Sequence, residues 1–528
     1  MPSRIITLAV SLLIFLAAPL ASATNYYVSP AGKDTNDGLR PQTALRSLAA
    51  ACRAAPAGQH NIYVDHGEFE ETESSVLAPG VSIIGAGIGK SIFRWKALCS
   101  LADNPMKFDF NAFMIQMKDS SNASISGITI LGNLPDDKRA HGGILAHEVR
   151  NVSIHNCEVI GLEFTGIWLS QATNSSVHHC RFEDCAHPSQ QSCSGGLQLG
   201  DLTDCAIHHN HIRENRGAYG IKTWKTAWIN PTDWFFLGQN KVKLTRVHFH
   251  HNDIKVLQQG AWGGGQPNMA LELWNSDPDD CEIRHNRITG CVSLVDGGRA
   301  PKTIRVHHNH FLLDPGYSYA IEAGHHNMEI DNNYFRNGFY PIASFGGSIE
   351  NLRIHHNTFD GIENHGVCNL PGAIDFSFTH NIVVIKNDMH LLNLGGGDKA
   401  GPSRNVTITN NLLIKDGETS CTASVINSHG ASVLDSNALT IRNNAFWNWS
   451  PDGELPKVIE PLLERATDGD QLLRFSPKSP FRAAGMRVQR RACQHLSNSQ
   501  ESGVHVARID ASKYKCGYRV CVPLCVCV

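Results

Sequence analysis

Charge is scarce in this chain of 528 residues: 18% of positions carry it, and the formal net charge is −3. Binding to nucleic acid or an anionic membrane needs a basic surplus, so neither is expected as a partner. Long apolar runs are absent after residue 20. The one such run, IITLAVSLLIFLAAPL, has 16 residues, follows MPSR and leads to Ala21-Ser22-Ala23. It is short for a membrane span and has the layout of a secretory signal peptide. The expectation is a secreted or periplasmic protein without membrane insertion. A phosphate loop is missing too, because GAGIGK (85–90) leaves three residues between Gly85 and Gly89 where the motif needs four.

What is abundant is histidine, with 28 residues, and glycine, with 46. The stretch VHHNHF (306–311) holds three histidines in six residues and looks like a metal site. Aligning on it shows a repeat instead. Eleven windows of six residues begin at Ile154, Val177, Ile207, Phe249, Ile283, Val306, Ile330, Ile354, Phe378, Ile408 and Ile441. The first and sixth positions are apolar in every window. The third is only His or Asn, and the fourth is Asn in nine windows and Cys in two, Cys157 and Cys180. Many windows start 23–24 residues apart, and Ile125 begins an earlier, degenerate unit.

Leucine-rich repeats need a leucine framework, which is missing, and propeller blades are longer. A parallel β-helix fits: short strands joined by turns, each coil stacked about 4.8 Å from the next. The Ile/Val/Phe positions then form an inward column. The Asn positions form a turn that tolerates the left-handed conformation and hydrogen-bonds from coil to coil.

The windows resemble the repeats of right-handed parallel β-helix proteins of the pectate lyase-like superfamily. The opening NYYVSPAGKDTNDGLRPQTALRSLAAACRAAPAGQHNIYVDHGEFEE and the stretch QLLRFSPKSPFRAAGM (471–486) are similar to the first and last segments of secreted members. The resemblance implies an all-β, single-stranded right-handed solenoid of about 12 coils with an N-terminal capping helix. Expected boundaries are 1–23 signal peptide, 24–124 cap and first coils, 125–450 repeats and 451–486 closing segment. A Cys-rich tail, 487–528, has no repeat and no assigned role. The superfamily contains lyases, hydrolases, epimerases and binding proteins, so the resemblance leaves the reaction open.

Catalysis on a solenoid needs outward side chains. A second strand recurs in TGIWLS, GGLQLGD, YGIKTW, MALELW, VSLVDGG and YAIEAG. Alternation places Ile167, Leu197, Ile221, Leu271 and Ile321 inside. Trp168, Gln198, Lys222, Glu272 and Glu322 then point out, and Asp296 falls on the coil between the last two. Trp224 and Trp274 flank them. The catalytic candidates are Lys222, Glu272, Asp296 and Glu322. The substrate-binding candidates are Trp168, Gln198, Trp224 and Trp274, since aromatic rings stack on sugars. Two long insertions, 226–236 and 257–268, sit where binding walls are usual.

Three readings follow. A polysaccharide lyase acting on a uronate-containing glycan uses Lys222 as base and comes first. A glycoside hydrolase uses carboxylates one coil apart (Glu272/Asp296) or two (Glu272/Glu322). A non-catalytic glycan-binding or surface protein is the third. The partner in each case is a polysaccharide, and the chain is expected to act as a monomer. Lys222→Ala and Glu272→Ala are each expected to abolish turnover and leave the fold intact.

No cofactor is assigned. Ca2+ is the one cation left open, at the acidic turn NSDPDD (275–280), whereas DTNDG (34–38) reads as a capped turn. No metal ligand set is assigned to the histidines. Fifteen of them lie in the windows, where neighbours such as His307 and His308 are expected to point apart. Some of the 16 cysteines are expected to pair in an oxidising compartment. Cys157 and Cys180, one coil apart, either bond or stack as thiols.

Overall fold

The computed structural model describes residues 23–449, except 99–111, 187–194, 237–240, 257–268, 314–318, 396–400, 418–420, 428–438 and scattered single or paired positions. Beyond them it describes the strands Leu463–Arg465 and Leu473–Phe475, which pair antiparallel. The expected signal peptide and tail lie outside the described residues.

Three long sheets, of 15, 13 and 14 strands, run the length of the described chain. Every pairing in them is between successive coils and parallel, as between Ile154 and Val177 or Phe335 and Phe359. The eleven window starts fall in one register on the 15-stranded sheet, from Ile154 through Ile283 to Ile441. Ile125 pairs with Ile154, so the degenerate unit exists. Strands at Asn25–Val28, Asn61–Val64 and Ser82–Gly85 add earlier rungs to this sheet, beyond the dozen coils the repeats count. The sixth positions line the 14-stranded sheet, where Phe311, Phe335 and Phe359 stack at 4.8 Å. Apolar residues of all three sheets meet in one core.

The helix Leu48–Ala54 caps the first coils. Ser47 Oγ accepts from the Ala50 N–H, and Leu48, Ala49, Ala50, Ala51 and Cys52 are buried.

The turn between the first two strands of each window departs from expectation. The left-handed residue is the third, not the fourth: His179, His209, His308, Asn332 and Asn410 have φ of 53–59°. Only His or Asn appears there because these side chains tolerate that conformation better than most. The fourth-position Asn turns inward and forms the expected ladder. Asn309 Nδ2 donates to Asn333 Oδ1 at 3.0 Å and to the Ile283 carbonyl at 2.7 Å, and its backbone N–H donates to the same Oδ1 at 2.9 Å. The pattern runs from Asn210 to Asn444.

At the lower end of this ladder Cys157 and Cys180 are free thiols. Their sulfurs donate to carbonyls within the column. Nine described cysteines are free and buried, so the expected pairing is absent among the described residues.

Burial makes this fold sensitive to acid. His141, His250 and His325 are pushed down to about 3 by desolvation. His178, His208, His251, His285, His307 and His310 are held near 4 for the same leading reason. Each imidazole binds its proton near pH 6.5 when unfolded and only below about 4 when folded. The unfolded state therefore takes up more protons as pH falls through that window, and stability drops. Glu71 and Glu214, pushed up by burial to about 7 and 8, act in the opposite sense, since the folded state keeps their protons at pH 5–7. The histidines outnumber them. In chelator-treated buffer the melting temperature should fall by about 5 °C or more between pH 7 and 5. A flat or rising profile would contradict the buried imidazoles.

Candidate functional site

The 13-stranded sheet carries the outward column. Trp168 pairs with Gln198, Gln198 with Lys222 and Lys222 with Glu272. Next come Ser293 and Glu322. Ser293 occupies the column position between the two glutamates. A register shift between Met269 and Leu271 sets this alignment. Asp296 lies outside the described residues. Glu272 and Glu322 are thus two coils apart.

Lys222 and Glu272 form a buried ion pair. Nζ donates to Oε2 at 2.6 Å, and the two side chains are 3% and 6% exposed. Nζ also lies 3.5 Å from the centre of the Tyr219 ring and 5.2 Å from that of Trp224. In a low-dielectric setting a carboxylate and two ring faces offset the cost of burying the cation. Thr223 Oγ1 donates to the Glu272 and Trp274 carbonyls, tying the strand to the next coil.

Glu322 is half-buried and accepts from Ser293 Oγ at 2.7 Å. Burial raises it above the usual carboxylate range. The Ser293 hydrogen bond opposes this, and the Glu272 charge adds to it. Burial also raises Tyr219 and Tyr319, the Glu272 charge adding for Tyr219, and the Cys291 and Glu322 charges for Tyr319.

The expected sugar-binding surface is only partly exposed. Trp274 is 40% exposed and its ring meets that of Trp224 at 6.4 Å. Trp224 is 4% exposed, and Trp168 and Gln198 are fully covered. Trp168 packs against Phe113 and Phe164. The Gln198 carboxamide has both its oxygen and its nitrogen buried without a hydrogen-bond partner among the described residues, an arrangement that costs free energy unless a ligand or water meets it. Of the two insertions, 226–236 contains a hairpin of Thr226–Asn230 against Asp233–Phe236. The insertion 257–268 lies outside the described residues.

Sequence reasoning missed a second column beside the first. Tyr219, Met269, Cys291, Tyr319 and Ala343 form a separate apolar cluster with Tyr340 on this side. The signal was present: Tyr219, Met269 and Tyr319 each stand three residues before Lys222, Glu272 and Glu322.

The two acidic stretches take different local structures. Asp34 Oδ1 accepts from the Arg46 and Ser47 N–H groups, and Asp37 Oδ1 from Leu39 N–H and Thr43 Oγ1. DTNDG is therefore a capped turn. In NSDPDD, Ser276–Asp279 form a strand of a small four-stranded sheet. The histidine pairs, in contrast, do not point apart. The left-handed third residue folds its ring back onto its neighbour, and His307 Nδ1 lies 2.9 Å from His308 Nδ1.

Three parallel sheets stacked coil on coil around one apolar core define a parallel β-helix. The family described as "Right handed beta helix region" matches residues 78–230 and 113–311. The chain folds as a right-handed parallel β-helix.

Solved structures similar to it include the catalytic unit of a thermostable GH87 α-1,3-glucanase from Streptomyces thermodiastaticus. That match has 12% identity and a TM-score of 0.47, over 79% of this chain and 70% of that one. PfbA, a surface adhesin of Streptococcus pneumoniae, matches at 11% identity and a TM-score of 0.43, over 74% and 83%. Pectate lyase Pel9A matches at 12% and 0.40, over 58% and 78%. At these identities the likeness is one of fold. No curated protein matches the chain. Among the described residues no helix is long and apolar enough to cross a membrane.

Proposed function

We propose that the protein hydrolyses a glycosidic bond of a polysaccharide, with Glu322 as general acid and Glu272 as the carboxylate that activates water. The observation that carries this is the split between two carboxylates on one sheet face. Glu272 is tied to the Lys222 cation at 2.6 Å, whereas Glu322 is raised by burial and by Glu272 itself. A carboxyl group raised by burial suits the acid, and a carboxylate paired with a cation suits the base. Two coils of about 4.8 Å separate their backbones by about 9.6 Å, near the upper end of the inverting range of about 6.5–9.5 Å.

This reading reverses the order of the first two expectations. β-Elimination with Lys222 as base needs a free amine lone pair. Lys222 instead commits its protons to Glu272 and lies over the Tyr219 ring, contacts that suit a resident cation. Trp274, exposed beside the pair, offers a ring for a sugar face.

Products should be assayed over a panel of neutral and uronate-containing polysaccharides. New reducing ends without an unsaturated product are expected, and Glu322→Gln should lower turnover by about 10²–10⁴-fold. An unsaturated product would transfer the assignment to a lyase. Binding without turnover across the panel would leave a glycan-binding protein.

A further inference from the structure

The histidine windows place a second set of chemical groups on another face, outside the proposed hydrolytic site. In three successive coils the second and third window positions are both histidine. His178 and His179 bring their Nδ1 atoms to 2.8 Å, His208 and His209 to 2.8 Å, and His250 and His251 to 3.0 Å. The pairs stack in register. Rings of His178, His208 and His250 lie 4.7 Å apart and within 6° of parallel, and rings of His179, His209 and His251 lie 4.8 Å apart. His179 and His209 are exposed, and the other rings are half-buried.

We propose that His178–His179, His208–His209 and His250–His251 form a strip that binds late divalent transition-metal ions, each ion held by the two Nδ1 atoms of a pair. A metal–nitrogen bond of about 2.0–2.1 Å turns a separation of 2.8–3.0 Å into a bite near 90°. That is the cis angle of tetragonal Cu2+ or Ni2+ sites, and imidazole is a ligand both accept. A third nitrogen is within reach from the next coil. Ligand atoms of His178, His179 and His208 lie within 4.8 Å of one another, as do those of His208, His209 and His250. Neutral imidazole is the form that coordinates. The remaining cluster of this kind, Glu329, Asp331 and His355, is already engaged, because Arg305 donates to both oxygens of Asp331.

The simpler role for each pair is an N–H···N hydrogen bond that steadies the turn. The chain itself supplies a substitution that keeps this role and removes the chelate. Asn156 holds the third position at φ 51° and donates to His155 Nδ1 at 3.0 Å. A variant with His179→Asn, His209→Asn and His251→Asn therefore preserves the turn and the hydrogen bond.

Untagged full-length protein should be titrated calorimetrically with Ni2+ at pH 7.5. The wild type is expected to bind saturably, and the triple variant to lose at least one ion per chain or about tenfold in affinity. Its metal-free melting temperature should match the wild type. Electron paramagnetic resonance of the Cu2+-loaded wild type should resolve two or more imidazole nitrogens. No Ni2+ binding by the wild type, unchanged binding by the variant, or a Cu2+ spectrum with fewer than two nitrogens would overturn the proposal.

Discussion

Lys222→Ala should destabilise the protein by about 3–5 kcal/mol as well as abolish its turnover. The lysine and Glu272 are both almost fully covered and pair at 2.6 Å. Removing the cation leaves a buried carboxylate whose partner is gone, and desolvation is then uncompensated. It also empties the space over the Tyr219 ring. The sequence alone suggested an exposed lysine whose loss would spare the fold; burial reverses that expectation. The paired change Lys222→Met with Glu272→Gln removes both charges at similar volume. It should recover most of the stability and none of the activity. Urea unfolding of the two variants against wild type decides this. If Lys222→Ala melts like wild type, the pair is solvated, and the asymmetry assigned to the two glutamates loses its cause.

Asn333→Ala should be as costly, at about 3–5 kcal/mol, for a different reason. Asn333 Oδ1 accepts from both the backbone N–H and the Nδ2 of Asn309, and its own Nδ2 donates to the Val306 carbonyl and to Asn357 Oδ1. Alanine orphans two buried donors at about 1–3 kcal/mol each, and two acceptors lose a partner as well. The end of the ladder gives an internal comparison. Among the described residues Asn210 Oδ1 accepts only from the Cys180 N–H, and the column below it is already cysteine. Asn210→Cys should therefore cost clearly less than Asn333→Cys. Because each coil contacts chiefly its neighbours, hydrogen exchange should report the loss within the coils next to the substitution. Equal costs at the two positions would mean that the ladder does not carry the turn.

Periodicity made the solenoid legible. The window starts and ends fall in the register their alignment gives, and Ile125 takes its place below them. The rungs at Asn25, Asn61 and Ser82 precede the His/Asn turns that made the repeat visible; they were expected as cap and first coils from the resemblance of the opening segment, not from the repeat. The outward column was legible from strand alternation through Lys222 and Glu272. At VSLVDGG alternation left the register ambiguous, and a bulge beside Met269 puts Ser293 in line. Burial was not legible. Whether an outward side chain meets solvent depends on what covers the face, and alternation carries no record of that. Trp168 and Gln198 point away from the core yet are covered, while Trp274 is exposed. The histidine pairs were misjudged because a strand was assumed to continue through the third position. The left-handed residue there turns neighbouring rings toward each other.

The most direct test of the Glu272–Glu322 assignment is the anomeric configuration of the first product, followed by NMR during polysaccharide cleavage. Carboxylates two coils apart leave room for a water between base and sugar, so the configuration should be inverted. Retention would require a carboxylate pair only about 5 Å apart, one coil rather than two. Retention, or an unsaturated product with no new hemiacetal of inverted configuration, would contradict the account.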